Sequence, residues 1–399
     1  MSKTNRTRPK TATSQLRQSV KNHPRIRSWL VDPLIREVAQ RLLNLAESID
    51  VRQIAVLPDV HLAGDYCVGT AMATERLIYP QSIGGDIGCG MAAIQLNASA
   101  DLLLESNRAE TVLDGLRQSV PAIRRRSDDR VASPETPAPA GLSHPRLRKI
   151  FAREGVAQLG TLGRGNHFLE FQSDEEGQLW LMIHSGSRGM GKAVADHHLR
   201  ECQPGCHRFV TIESGSPAGQ RLLNDYDWAA KYAAANRRCI LSATVQFLTT
   251  QFGVTSIDSS LIESDHNHIR RESITIDGTS SEVWMHRKGA QQASAGQLGL
   301  IPGSMAAASY HVIGRGEPSS LDSCSHGAGR TMSRKQAFER VTKRQLIREM
   351  SDVVFDSRRA DQLRDESPST YRDIRKVIKS QRDLISVERR LKPILSFKY

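Results

Sequence analysis

Apolar residues recur at three- and four-residue intervals over positions 34–45 (LIREVAQRLLNL), which predicts an early helix with one buried face. Residues 54–57 (IAVL) are continuously apolar and run into Pro58-Asp59, so a short buried strand ending in a loop is expected there. A second apolar strand is expected over 179–183 (LWLMI), delivering His184 at its end. The strongest helical pattern covers 227–252, alanine-rich with aliphatic and aromatic residues three to four apart. Residues 273–286 alternate Ile, Val and Trp with polar residues, and Asp277-Gly278 supplies the turn of a hairpin. A basic amphipathic helix is expected over 334–350. Residues 83–91 (IGGDIGCGM) hold four glycines in nine positions. That density raises the entropy cost of any regular element and fits backbone bent tightly around something. Residues 124–145 mix Arg, Asp, Pro and Ala as an exposed insertion. There is no internal repeat, and strands do not alternate with helices in the beat of a doubly wound sheet. The expected class is α+β, a single domain over residues 34–399 preceded by a basic arm over 1–33.

Composition narrows the function classes. The 399 residues are 39% hydrophobic and 25% charged, with no apolar run long enough to span a membrane, so a cytoplasmic protein without a membrane partner is expected. The net charge of +12 favours a polyanion partner, nucleic acid above all, against the plainer reading of a solvated basic surface. The first 31 residues hold eight Lys or Arg and no acid, as a basic arm, a transit peptide or a frayed terminus would. Six scattered cysteines form no disulfide framework. Cys202, Cys206 and His207 lack a second paired half and read as loop chemistry; Cys89 is the cysteine worth pursuing.

Five segments set a metal ligand or nucleophile among turn-forming residues: Asp86 and Cys89 in GGDIGCGM, His167 in GRGNHFLE, His184 in HSGSRG, His266 in DHNHI and His326 in SHGAGR. Any one alone reads more simply as a hydrogen-bonding or surface histidine, and Cys89 alone as a small buried hydrophobe. Together they form a carboxylate, thiolate and imidazole set suited to Mn, Fe or Zn. The set is too large for one tetrahedral zinc, whereas two bridged divalent ions, typical of phosphoryl chemistry, use it all. His268 competes with His266 for the same place, and His266 is chosen because it directly precedes Asn267. Glycine-rich turns at 160–165, 184–191, 303–305 and 326–330 have the composition of anion nests, and Arg164, Arg188, Arg287 and Arg330 are candidates for bidentate phosphate contact. His326 reads either as a nucleophile forming a phosphoramidate or as a further ligand or general base. The residues alone leave both open.

PDVHLAG (58–64), GGDIGCGM (84–91), LGTLGRGNHFLE (159–170), MIHSGSRGMG (182–191), HRKGA (286–290), GLIPGSMAAASY (299–310) and SCSHGAGRTMSR (323–334) resemble, in order, the motifs of the RtcB-type RNA ligases. The resemblance covers roughly residues 50–399. It implies the family's α+β fold around a deep polar metal-binding cleft. Asp86, Cys89, His167, His184 and His266 fall on the ligands of two Mn(II) ions, with Cys89 bridging, and His326 on the histidine that accepts GMP from GTP. Asn166, Glu170, Ser309, Ala328, Gly329, Tyr371 and Lys398 fall on guanylate-contacting positions. The implied partners are GTP and RNA ends, a 3′-phosphate or 2′,3′-cyclic phosphate and a 5′-hydroxyl, handled by a monomer in RNA repair or tRNA splicing. The alternatives are a metal-dependent RNA phosphoesterase and an RNA-binding relic without guanylylation. The segment after PDVH (Ala63-Gly64-Asp65-Tyr66-Cys67) and the polar stretch before GGDIGCGM (Tyr79-Pro80-Gln81-Ser82) depart from the family pattern.

Overall fold

The computed structural model describes residues 12–64, 66–105, 107–204, 209–276 and 278–399, the side chains of 203 and 204 excepted. Two sheets dominate. The first runs in the order Ile26–Ser28, Val51–Ala63, Tyr66–Thr74, Thr279–Lys288, Asn267–Ile276, antiparallel apart from its parallel first pair. The second is antiparallel throughout: Ile262–Asp265, Gly90–Ser99, Gln178–Ser185, Phe168–Ser173, Ile385–Phe397, Ser309–Gly314, Leu298–Ile301. Helices are interspersed among the strands without a regular strand–helix alternation, and the mainly antiparallel sheets make the class α+β.

The apolar run at 179–183 is explained by a strand covered on both faces. Leu179, Leu181 and Ile183 join one core with Phe171, Ile240 and Leu248, while Trp180 and Met182 join another with Met91 and Leu391. Burying such side chains contributes about 1.5–3 kcal/mol each. The early helix forms as Arg36–Ala46 and the expected strand at 54–57 is the centre of Val51–Ala63. The hairpin is longer than its alternating stretch, pairing Asn267–Ile276 with Thr279–Lys288; Asp277 of its turn lies outside the described residues.

Two helix expectations need correcting. The long helix starts ten residues earlier than its periodic segment, as Pro217–Phe252, because the Ser216 hydroxyl accepts from Gly219 N (3.0 Å) with Pro217 in the first turn. The basic helix at 334–350 is two helices, Arg334–Arg340 and Lys343–Glu349. Val341 and Thr342 between them are extended, and the Thr342 hydroxyl caps the second by accepting from Gln345 N (3.1 Å).

The basic segment at the start of the chain is part of this body over its described residues. Ala12–Asn22 is a helix, and Ile26–Ser28 pairs with Ile54, Ala55 and Val56. The segment 124–145 is mainly exposed but pinned. Arg125 bonds the carbonyls of Ser119 and Gly160 (both 2.9 Å), Leu142 is buried, and the Trp228 indole donates to Ala138 O (2.9 Å). Among the described residues no helix is long and apolar enough to cross a membrane.

Candidate active site

Antiparallel order brings alternate strand starts and ends to one edge of the second sheet. Cys89 precedes Gly90–Ser99, His184 lies at the end of Gln178–Ser185, His167 precedes Phe168–Ser173, and His266 follows Ile262–Asp265. Register matches Met91 and Phe168 to His184 and Gly90 to Asp265, so these ends coincide. The fifth strand, Ile385–Phe397, finishes at the same edge through its Phe397–Leu169 pairing and delivers Lys398 there. Gly88, at φ +69°, lets the chain turn directly before Cys89; a Cβ there would lie 2.6 Å from the Ala230 Cα of the long helix.

Cys89 Sγ is 3.3 Å from His184 Nε2 and 3.5 Å from His167 Nε2. His184 Nε2 is 3.3 Å from His266 Nε2, and Asp86 Oδ2 is 3.3 Å from His167 Nε2. The ligand atoms of Cys89, His184 and His266 form one tight triplet and those of Asp86, Cys89 and His167 another, sharing Cys89. The fit to cations rests on this donor set. His184 Nδ1 sits 3.1 Å from Asn166 O, so it donates there and leaves Nε2 as a lone pair facing the thiol. His167 Nδ1 is 3.0 Å from Leu162 O and also 3.0 Å from Arg188 Nη1, and the carbonyl is the partner consistent with Nε2 as a ligand. Two imidazole nitrogens facing each other beside a buried sulfur form a donor set that a borderline cation can share.

Burial holds His184 and His266 in the neutral form that ligates, well below the ordinary histidine range. Burial and the neighbouring Asp86 push the Cys89 thiol well up, so a thiolate here requires a bound cation. The enclosing walls also push the Asp86 carboxyl up, but His167 outweighs them and leaves it below the usual carboxylate range. His268, the competing candidate, is turned toward Asp265 (2.9 Å) and Arg287 (3.1 Å).

His326 stands beside this cluster, its ring centroid 4.6 Å from that of His266. The short pair Ala290–Gln292 with Ser323–Ser325 sets it there. Its Nδ1 is 2.6 Å from Asp59 Oδ2, and its backbone N–H donates to the same oxygen (3.3 Å). Asp59 is fully buried and Oδ1 has no partner, so this carboxylate is committed to His326.

Asp86, Cys89, His184, His266 and His326 line one cleft of about 880 Å³, with His167 and Asp59 buried behind them, and its lining also includes Asn166, Glu170, Ser309, Ala328, Gly329, Tyr371 and Lys398. Its floor is polar, but one flank is apolar, formed by Pro33, Leu34, Ile35, Val38 and Leu62. Glu170 is buried, which raises its carboxyl to about 8, and it accepts from Gln172, which also donates to Ser309 Oγ (3.0 Å). Across the cleft is a residue that sequence reasoning missed. The buried Glu366 takes Lys398 Nζ (2.5 Å), Tyr371 OH (2.8 Å), Arg334 (2.6 Å) and Arg330 (3.2 Å).

Several expected anion contacts are occupied. Arg287 is fully buried and holds Glu272 through both Nη atoms (2.5 and 2.9 Å), so it faces no ligand. The amides of Gly160 and Thr161 donate to Asn236 Oδ1, and that of Gly163 to Ala122 O, which closes the expected nest at 160–165. Gly189 N donates to Gln158, and Arg188 is held by Thr161 beside His167. Arg164 is exposed away from the cleft lining, whereas 303–305 and 326–330 do line it. Of the cysteine–histidine loop only Cys202 is described, with its thiol donating to His198 O (3.3 Å); Cys206 and His207 lie outside the described residues.

Comparison with known proteins agrees with the motif order. The family model described as "tRNA-splicing ligase RtcB" matches residues 41–399. The RNA-splicing ligase RtcB of Escherichia coli K12 is 34% identical over 395 residues, covering 92% of this chain and 95% of that protein. The protein of the same name from Mycobacterium tuberculosis is 28% identical, covering 83% and 92%. The tRNA-splicing ligase RtcB of Methanococcus maripaludis is 25% identical, covering 87% and 88%.

Proposed function

Because the chain belongs to the RtcB family, we propose that it is an RNA ligase that uses GTP and two Mn(II) ions and passes through a covalent histidine–GMP intermediate. Asp86, Cys89, His167, His184 and His266 hold the ions, which when bound neutralise phosphate charge and polarise the reacting phosphorus. The observation that carries the reading is the Asp59–His326 contact at the edge of the thiol–imidazole cluster. With Nδ1 engaged by Asp59, the His326 ring presents Nε2 as the free nitrogen.

In this reading His326 Nε2 attacks the α-phosphorus of GTP. A P–N bond forms, the α–β P–O bond breaks, and pyrophosphate leaves. Asp59 stabilises the positive charge that develops on the ring, much as a buried carboxylate supports an imidazolium elsewhere. A 2′,3′-cyclic end is first opened by water to the 3′-phosphate. An oxygen of that phosphate then attacks the guanylyl phosphorus, the P–N bond breaks, and His326 is released. Finally the 5′-hydroxyl oxygen attacks the activated 3′-phosphorus, forming the new phosphodiester and expelling GMP. Asn166, Glu170, Ser309, Ala328, Gly329, Tyr371 and Lys398 hold the guanylate while this proceeds, in a monomer acting on cytoplasmic RNA. Splitting one transfer into these displacements lowers each barrier.

Incubation with Mn(II) and α-labelled GTP is expected to give a covalent adduct, absent in His326→Ala, followed by joining of the two RNA ends. Opening of a cyclic phosphate without an adduct would instead indicate a phosphoesterase. RNA binding without either reaction would indicate a relic site.

A further inference from the structure

One side of the cleft is bounded by Arg372, whose guanidinium bonds Asp32 (3.0 Å), Val60 O (3.1 Å) and Arg330 O (3.1 Å). Asp32, Pro33 and Arg372 all line the cleft. Next to them along both chain segments is a second, shallow hollow of about 450 Å³, lined by Leu30, Val31, Lys376, Lys379, Ser380 and Arg382. Val31 is adjacent in sequence to Asp32 and packs in one apolar cluster with the cleft-lining Tyr371 and with Ile374, Val377 and Ile378, so the hollow adjoins the cleft wall.

Lys376 and Lys379 are three apart on the helix Ile374–Ser380 and share a face; Arg382 follows its end. All three are exposed, and among the described residues none has an ion-pair partner. The neighbouring acids bond to other groups, and Asp373 has only a minor charge interaction with Lys376. Asp373 caps the helix and pairs with Arg375 (3.0 Å), while Asp383 accepts from the Trp29 indole (2.8 Å). Like charges at this spacing destabilise a helix when nothing neutralises them. The helix dipole offsets this for Lys379 alone, which lies in the last turn.

We infer that this hollow binds the sugar–phosphate backbone of the RNA strand leaving the cleft. Three exposed cations in one hollow complement a phosphate backbone, and the hydroxyl of the remaining polar lining residue, Ser380, donates to Val377 O (2.9 Å), so the contact is independent of sequence. The inference rests on the ligase reading, which is what makes the polyanion in the cleft an RNA end.

The test uses the full-length protein and the triple variant Lys376→Gln, Lys379→Gln, Arg382→Gln. Binding of 3′-phosphorylated RNAs of about twenty and about four nucleotides is measured by fluorescence anisotropy across a salt series. For the longer RNA the variant should bind at least about tenfold more weakly at low salt, with a log–log salt slope smaller by about two to three. The short RNA and labelling by GTP alone should be unaffected, and the double variant Lys376→Arg, Lys379→Arg should keep the wild-type slope. An unchanged slope, or equal weakening for both RNAs, overturns the inference. Failure of the ligase reading looks different, because the wild-type protein itself would then form no adduct and join no ends.

Discussion

At Glu366 four cationic or hydroxyl partners converge on one buried carboxylate, and two of them, Tyr371 and Lys398, are proposed guanylate contacts. Burial alone would push this carboxyl up, but Lys398, Arg334 and Arg330 outweigh it and bring it to about 2. Its folded value is therefore depressed from about 4.5, so its stabilising contribution is complete above pH 4.5 and is lost as pH falls toward about 2. Glu366→Gln removes the charge while keeping the shape. The KM for GTP should rise by roughly ten- to a hundredfold with a smaller change in kcat, because charge-assisted hydrogen bonds are lost on the binding side. The stability gap between wild type and variant, measured by urea unfolding, should narrow between pH 4.5 and 2. A gap that stays constant with pH would mean that the carboxylate is not the anchor. Glu366 was illegible in the sequence because it sits in an ordinary charged stretch, and its partner Lys398 is 32 residues away. Cys89, His167, His184 and His326 were visible for the opposite reason, since each has a glycine within two positions, a sign of tightly bent backbone, and Cys89 has one on both sides. Asp59 lay inside a noticed motif, yet only the fold shows it reaching His326.

Among the elements, the long helix Pro217–Phe252 positions the site without touching its chemistry. Asn236 on this helix accepts from the amides of Gly160 and Thr161 (2.8 and 3.2 Å) and donates to Thr161 O (3.1 Å) and Ser185 Oγ (3.0 Å). It thereby ties together the loop before His167 and the strand end after His184. Asn236→Ala leaves buried amides without partners, which costs about 1–3 kcal/mol for each group stranded. Denaturant melting should therefore show a loss of about 2–4 kcal/mol, and Mn(II) affinity should fall with it. Full retention of both would show that the loop is held from elsewhere. The helix itself was readable from its periodicity, apart from a first stretch whose Pro and Gly disguised it. The split of 334–350 was missed because two apolar faces in phase read as one helix, while the break lies in the Thr342 cap. Sheet order was beyond reach, since pairings such as Phe397 with Leu169 join residues far apart in the chain.

For the whole molecule, the cluster is a knot joining segments that are distant in sequence: residues 86–89, 167, 184 and 266. A cation bound there engages only the folded arrangement, so its binding energy adds to folding stability by mass action. At one hundred times the dissociation constant the gain is about 2.7 kcal/mol per site. In a chain of 399 residues the unfolding entropy is large, so this corresponds to only a few degrees in the melting temperature. Thermal unfolding followed by circular dichroism should show such a rise on adding Mn(II) and its reversal by chelator. The burial of Cys89 sharpens the test. Without a cation the thiol stays protonated, so Cys89→Ala should melt close to the metal-free wild type and respond little to Mn(II). His326→Ala, which leaves the donor set intact, should keep the full response. An equal response from all three proteins would place the bound ion somewhere other than between the thiol and the imidazoles.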